Sequence, residues 1–222
     1  MAYRWNFEPV WANADVLLRG AFGTLRLFAI CAVAGLLLGL VIGLARHSPR
    51  RLWRWPATVF VEFFRNTPVL VQILWFYFAL PILLPVEIGP LAAAALGISL
   101  NSAAFTGEIV RGGIASIERG QWEGARALGM TGGQAMARVV LPQALRRMLP
   151  ALTNRGIEIF KMSTLASAVA YVELLQQGKL LASLNFNPIE TYTVIAIVFF
   201  LCLLPLVQAT YALERRLGRV DA

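Results

Sequence analysis

Charge is what this sequence has least of. Only 14% of its 222 residues are charged and only 12 are acidic, against about 25% charged in an ordinary water-soluble domain. That deficit excludes a conventional water-facing surface. Histidine occurs once, as His47, and cysteine twice, as Cys31 and Cys202. The histidine lies in a basic loop and is assigned no chemistry. Both cysteines lie inside apolar runs and read as small core residues. Without clustered acids, a nucleophile beside a base, or a set of ligands, the chain carries no expected catalytic residue, metal site or cofactor. It also has no GxxxxGK[ST] phosphate loop, so any ATP-derived energy must come from another chain. The first twenty residues contain Trp5, Glu8, Trp11, Asp15 and Arg19 and no apolar h-region. No cleavable signal peptide is therefore expected, and insertion relies on the first spanning helix.

What the sequence does have is apolar length. Hydrophobic residues make up 58% of it, gathered into runs that approach the roughly 20 residues needed to cross a bilayer. The expected fold is all-α, a polytopic membrane bundle in one domain over residues 1–222. About five spans are expected, at 20–45, 67–86, 88–110, 157–175 and 191–213. The first carries Gly35, Gly39 and Gly43 at four-residue spacing, which lets a second helix approach closely. Asn66-Thr67-Pro68 reads as the start of the second, a polar cap followed by proline in the first turn, with fraying expected at Pro81 and Pro85. The third has Asn101 and Ser102 in its middle and Glu108 and Arg111, one turn apart, at its end. The fourth is weaker, bears Glu158 and Lys161, and needs protein neighbours to cover its polar groups. Pro205 is expected to kink the last.

The net charge of +8 points to nucleic acid in a soluble protein. Here the arginines fall between apolar runs and alternate in side. Arg46, Arg50, Arg51 and Arg54 follow the first span. Seven more lie between the third and fourth, from Arg111 to Arg155, and Arg215, Arg216 and Arg219 close the chain. By contrast 81–90 has no basic residue, and 173–190 only Lys179. The bias of short loops toward lysine and arginine on the cytoplasmic side places the N-terminus outside, the C-terminus inside and the long polar segment, about 112–155, inside. No nucleic-acid partner is expected.

That polar segment carries the function. Gln121 to Leu128 predicts a short helix, ended by Gly129 in the left-handed conformation that glycine adopts without cost. Thr131-Gly132-Gly133-Gln134 fits a capping box, and a second short helix is expected as far as about Leu141-Pro142. Glu123-Gly124-Ala125, then Gly129, then Val139-Val140-Leu141-Pro142 resembles the EAA motif of permeases in binding-protein-dependent ABC importers. The spacing agrees throughout, with Gly124 replacing an alanine and Val139 an isoleucine. Glu62 to Pro68 with Val71-Gln72, Asn101 to Gly113, and Leu141 to Pro150 are similar to the polar amino acid branch of that family. One departure is at Lys161-Met162-Ser163-Thr164, where that branch often has Asp or Asn after the lysine.

The resemblance implies a permease in a bacterial inner membrane. It implies a second permease subunit, identical or related, and a cytoplasmic ATPase dimer docked on the EAA loop. It further implies an external solute-binding protein and a lipid surround. It assigns Glu123, Gly124, Ala125, Arg126, Leu128 and Gly129 to ATPase coupling. Lysine within a membrane is costly unless paired or wetted, so Lys161, with Ser163, Thr164 and Asn101, is the candidate solute path. Glu123 also fits a first-turn acid favouring the helix dipole, Asn101 and Ser102 also fit helix-bridging hydrogen bonds, and Lys161 also fits snorkelling. A channel or membrane adaptor is the competing function, distinguished by whether an ATPase co-purifies.

Overall fold

The computed structural model describes residues 3–218, with side chains through Arg215; Arg219 of the basic tail lies outside the described residues. All regular structure among the described residues is helical. The helices are α1 (Glu8–Ala12), α2 (Ala14–His47), α3 (Arg51–Asn66), α4 (Val69–Leu83), α5 (Pro90–Ala115) and α6 (Arg119–Ala127). They continue as α7 (132–162), α8 (Leu174–Asn185) and α9 (Pro188–Gly218). Within the described residues α2, α5 and α9 are long and apolar enough to cross a bilayer, and α3 with α4 meets the same test as one span bent by 103°.

The largest interface is α2 on α5, and the glycine stripe creates it. A Cβ built on Gly35 would lie 2.7 Å from the Ser102 Cβ, one on Gly43 2.6 Å from the Val110 Cβ, and one on Gly39 would overlap Thr106. Position advances together on both helices, so α2 and α5 run parallel. The chain between them must therefore return across the bundle, and α3–α4 does so.

The joint between α3 and α4 has a specific cause. Pro68 has no N–H, so the Phe64 carbonyl, four residues earlier, loses its helical donor. Two side chains replace it: Gln72 Nε2 donates to the Phe64 carbonyl at 3.0 Å and Asn101 Nδ2 at 2.7 Å. The polar cap expected from Asn66 and Thr67 is not formed. Both side chains turn back instead, Asn66 Nδ2 donating to the Glu62 carbonyl and the Thr67 hydroxyl to that of Phe63. They close the end of α3 rather than the start of α4, which begins after Pro68 without a side-chain cap.

Two other prolines widen their helices rather than end them. A π turn at Trp75–Ala79 precedes Pro81, and another at Met136–Val140 precedes Pro142. A proline ring clashes with the carbonyl four residues earlier, and a wider turn moves that carbonyl aside. α4 accordingly passes Pro81 and ends at Leu83, and α7 passes Pro142.

The segment 157–175 is not one helix. α7 stops at Met162, a 3₁₀ stretch covers Ser163–Val169, Ala170 is left-handed at φ 54°, and α8 begins at Leu174. The break docks on the glycines of α2. The Tyr171 hydroxyl donates to the Gly23 carbonyl and the Leu174 N–H to the Thr24 hydroxyl, both at 3.1 Å. A Cβ on Gly23 would run into the Val172 carbonyl. Glu173, fully buried, accepts from the Leu175 and Gln176 N–H groups and caps α8.

Candidate functional site

α6 and the turn after it have the geometry that their residues predict. The Gly129 N–H donates to the Arg126 carbonyl at 2.9 Å and the Met130 N–H to the Ala125 carbonyl at 3.1 Å. That paired closure requires a left-handed residue between them, and Gly129 supplies it at φ 74°. The capping box forms in both directions: Gln134 N–H to the Thr131 hydroxyl, and Thr131 N–H to Gln134 Oε1. Glu123, Gly124, Arg126, Leu128 and Gly129 are exposed, Leu128 at 78%, whereas Ala125 is buried.

This exposed element stands on a firm base. Trp122 and Met136 pack on a core of Val110, Ile114, Ile117, Val140, Ala144 and Met148. The Trp122 ring stacks on His47, centroids 6.2 Å apart, which ties α6 to the end of α2. Gln143 Nε2 donates to Gln121 Oε1 across the turn. The second helix does not stop near Leu141-Pro142; it continues to Met162 as α7. The exposed turn is therefore the end of a rod of 31 residues, about 46 Å long at roughly 1.5 Å per residue.

Above it lies an ionic hub. Glu108 is half-buried and takes Arg46 from α2 and Arg111 from its own helix, with Arg65 of α3 at 3.9 Å. The pair read from sequence, Glu108 with Arg111, exists, but it is part of a knot joining α2, α3 and α5. One carboxylate shared by three guanidinium groups has more worth than an isolated surface pair, because its geometry is fixed by three helices.

Asn101 is 2% exposed, and both ends of its amide are engaged. Its Nδ2 donates to Phe64, and its Oδ1 accepts from Arg155 Nη2 at 2.8 Å. Arg155 was legible only as one of the cytoplasmic arginines. The structure buries it to 4% exposure, over the Phe105 ring at 4.4 Å and paired with Glu158 at 2.7 Å. A signal was present: Ala144, Met148, Arg155 and Ile159 share one helical face, and the other three are core residues. An arginine on an apolar stripe marks a buried partner.

The four solute-path candidates do not meet as a group. Lys161 is exposed, Thr164 half-buried and Ala168 exposed, so these three share an outward side. Ser163 is fully buried, its hydroxyl donating to the Phe160 carbonyl. Asn101 bonds to Phe64 and Arg155 rather than to Lys161. The Thr164 hydroxyl donates to the Lys161 carbonyl at 2.8 Å, and Lys179 Nζ donates to Ser167 Oγ at 2.9 Å. A second lysine thus reaches the same hydroxyl-bearing stretch.

Comparisons with known proteins agree with this geometry. Residues 35–219 match the family model described as binding-protein-dependent transport system inner membrane component. The chain is 35% identical over 215 residues to the glutamine transport system permease protein GlnP of Escherichia coli (strain K12), covering 96% of this chain and 98% of that one. It is 34% identical over 216 residues to the arginine transport system permease protein ArtQ of Bacillus subtilis (strain 168), covering 97% and 99%. A solved structure of an amino acid ABC transporter with histidines superposes at a TM-score of 0.90 with 32% identity, over 96% of this chain and all of that one. The match spans most of the chain, both glycine-packed helices and the exposed turn. The chain therefore belongs to the family of inner-membrane components of binding-protein-dependent transport systems.

Proposed function

We propose that this protein is the membrane-spanning subunit of an ATP-driven importer of amino acids. Two such subunits, identical or related, enclose the path within the lipid bilayer. A dimeric ATPase docks on α6 and the Gly129 turn from the cytoplasm, and an external binding protein delivers the solute. The N-terminus lies outside and the C-terminus inside, in keeping with the arginine bias and with the parallel α2–α5 pair, while His47 on Trp122 ties the end of α2 to α6. The observation that carries the reading is mechanical. α6 is exposed, rigidly capped at both sides of Gly129, and continuous with a rod that enters the bundle. A partner that moves α6 moves that rod, and alternating access needs such movement.

Identity does not choose the solute, since relatives named for glutamine and for arginine match almost equally. The chemistry of the chain favours one side. Of the four candidates, Lys161 and Thr164 are left to line the proposed path, since Asn101 and Ser163 are buried and hydrogen-bonded elsewhere. Met162 puts a thioether beside Lys161 where a carboxylate would hold a cationic side chain. Neutral or acidic amino acids are the expected solutes.

The test is reconstitution with the partner ATPase and binding protein. Hydrolysis stimulated by glutamine or glutamate, with uptake into vesicles, is the expected result. A chain that binds no ATPase and conducts ions down their gradient is a channel, and the proposal fails.

A further inference from the structure

Asn101 holds an unusual place, because one amide bridges three helices that the chain separates widely. Its Nδ2 satisfies the Phe64 carbonyl that Pro68 leaves without a donor, at the joint of α3 and α4. Its Oδ1 receives Arg155, on the rod that begins at the exposed turn. Arg155 is otherwise held by Phe105 and Glu158, while its Nε is buried without a partner. A buried guanidinium with an unfilled donor is expensive. An apolar residue of similar volume would pack this stripe at lower cost. The arginine therefore needs a reason beyond packing.

The geometry supplies one. α3 and α4 meet at a joint bent by 103°, and α4 leans on the 163–169 stretch that follows α7. We propose that Arg155 is a positioning residue that passes movement of the exposed turn to the α3–α4 joint, acting through the Asn101 amide. It rests on the reading that α6 receives an ATPase. When α7 shifts, Arg155 draws on Asn101 Oδ1, and the Phe64 carbonyl gains or loses one of its two donors. The joint then opens or closes. A hydrogen bond to a charged group is strong enough to bias such a two-state joint, at roughly tenfold or more in population.

The experiment uses the assembled complex with its ATPase, in a background where Cys31 and Cys202 are alanine. A single spin label is placed at Ala137→Cys near the start of α7 or at Ile82→Cys near the end of α4; both positions are exposed and outside the proposed docking residues. Spectra are compared without nucleotide and with ATP in EDTA, which permits binding without hydrolysis. In the otherwise unaltered chain both labels respond. In Arg155→Met the Ala137 label responds and the Ile82 response is lost, and Arg155→Lys, which can still donate to Asn101 Oδ1, recovers most of it. Asn101→Asp serves as the second variant if Arg155→Met does not assemble. It keeps the acceptor for Arg155 but cannot donate to Phe64, so the Ile82 response is again lost. A full Ile82 response in Arg155→Met or in Asn101→Asp overturns the relay and leaves the importer reading intact. An Ala137 label that ignores nucleotide in the unaltered chain overturns both.

Discussion

Gly39 faces Thr106 so closely across the α2–α5 seam that a Cβ on the glycine would overlap the threonine side chain. Gly35 and Gly43 repeat the relationship against Ser102 and Val110, one turn to either side. The seam packs the glycine backbone of α2 directly against side chains of α5, and such close van der Waals packing drives helix association in a bilayer. Gly39→Val must push the helices apart along the whole stripe. The expected loss is about 1–3 kcal/mol, the usual cost of overpacking, read as a lower thermal midpoint in detergent and a lower yield of assembled complex. Gly112→Ala on α5, where a Cβ meets open space, is the control and should lower neither.

Gly129 gives the cleaner test of coupling. A Cβ there meets nothing within 4 Å, so a substitution acts through the backbone alone. Its φ of 74° costs an ordinary residue about 1–2 kcal/mol, and a β-branched one most. Gly129→Val should lower solute-stimulated hydrolysis and weaken ATPase binding while membrane insertion is unaffected. Gly129→Asn, which tolerates the left-handed region, should be nearly normal. Glu123→Arg should weaken docking without altering the turn. Gly124→Ala should raise the stability of α6 by up to about 1 kcal/mol, since its Cβ also meets open space. Unchanged hydrolysis in both Gly129→Val and Glu123→Arg removes α6 from the docking surface.

The orientation can be checked by thiol labelling. Leu128 and Phe186 are both highly exposed, the second at 91%, and the proposed topology sets them on opposite sides. A cysteine at Leu128, or within 46–54, should react with an impermeant reagent only in inverted membranes or permeabilised cells. One at Phe186, or within 86–90, should react in intact cells. Reaction of Leu128→Cys from outside reverses the topology.

Local chemistry was legible in the sequence where the answer depended on a few neighbouring residues. The left-handed Gly129, the Thr131–Gln134 capping box and the close-packing stripe of α2 were all present as spacing. The family resemblance was legible for the same reason, because its motif lies in that turn. What stayed hidden depended on partners far away in the chain. Asn66-Thr67-Pro68 looked like a cap, but the missing N–H of Pro68 mattered more, and its remedy lies at Asn101. Pro142 looked like a stop, yet a π turn carries the helix past it. Residues 157–175 had the hydropathy of a weak span, and nothing local announced that Tyr171 and Leu174 would dock on Gly23 and Thr24. Arg155 was hidden in the arginine bias of a loop because charge counting does not see helical phase.

The solute path is tested most directly at Lys161. It is exposed at the end of α7, just before the 3₁₀ stretch, and Thr164 and Ala168 follow on the same outward side. No carboxylate pairs with it among the described residues. An ammonium within a bilayer is costly unless it snorkels to the interface or faces water along the proposed path. Its removal therefore separates two roles. If Lys161 snorkels for stability alone, Lys161→Met strengthens or spares the fold and leaves uptake untouched. If it attracts the solute carboxylate, Lys161→Met lowers uptake and solute-stimulated hydrolysis by about tenfold or more, as loss of a charged hydrogen bond would, while the complex still assembles. Lys161→Arg keeps the charge and should retain part of the activity. The solute series gives the second reading. Glutamine or glutamate should be imported and arginine rejected, because Met162 offers a cationic side chain no counter-charge. Uptake at the unaltered rate in Lys161→Met, or arginine as the best solute, removes Lys161 from the path and leaves the family assignment standing.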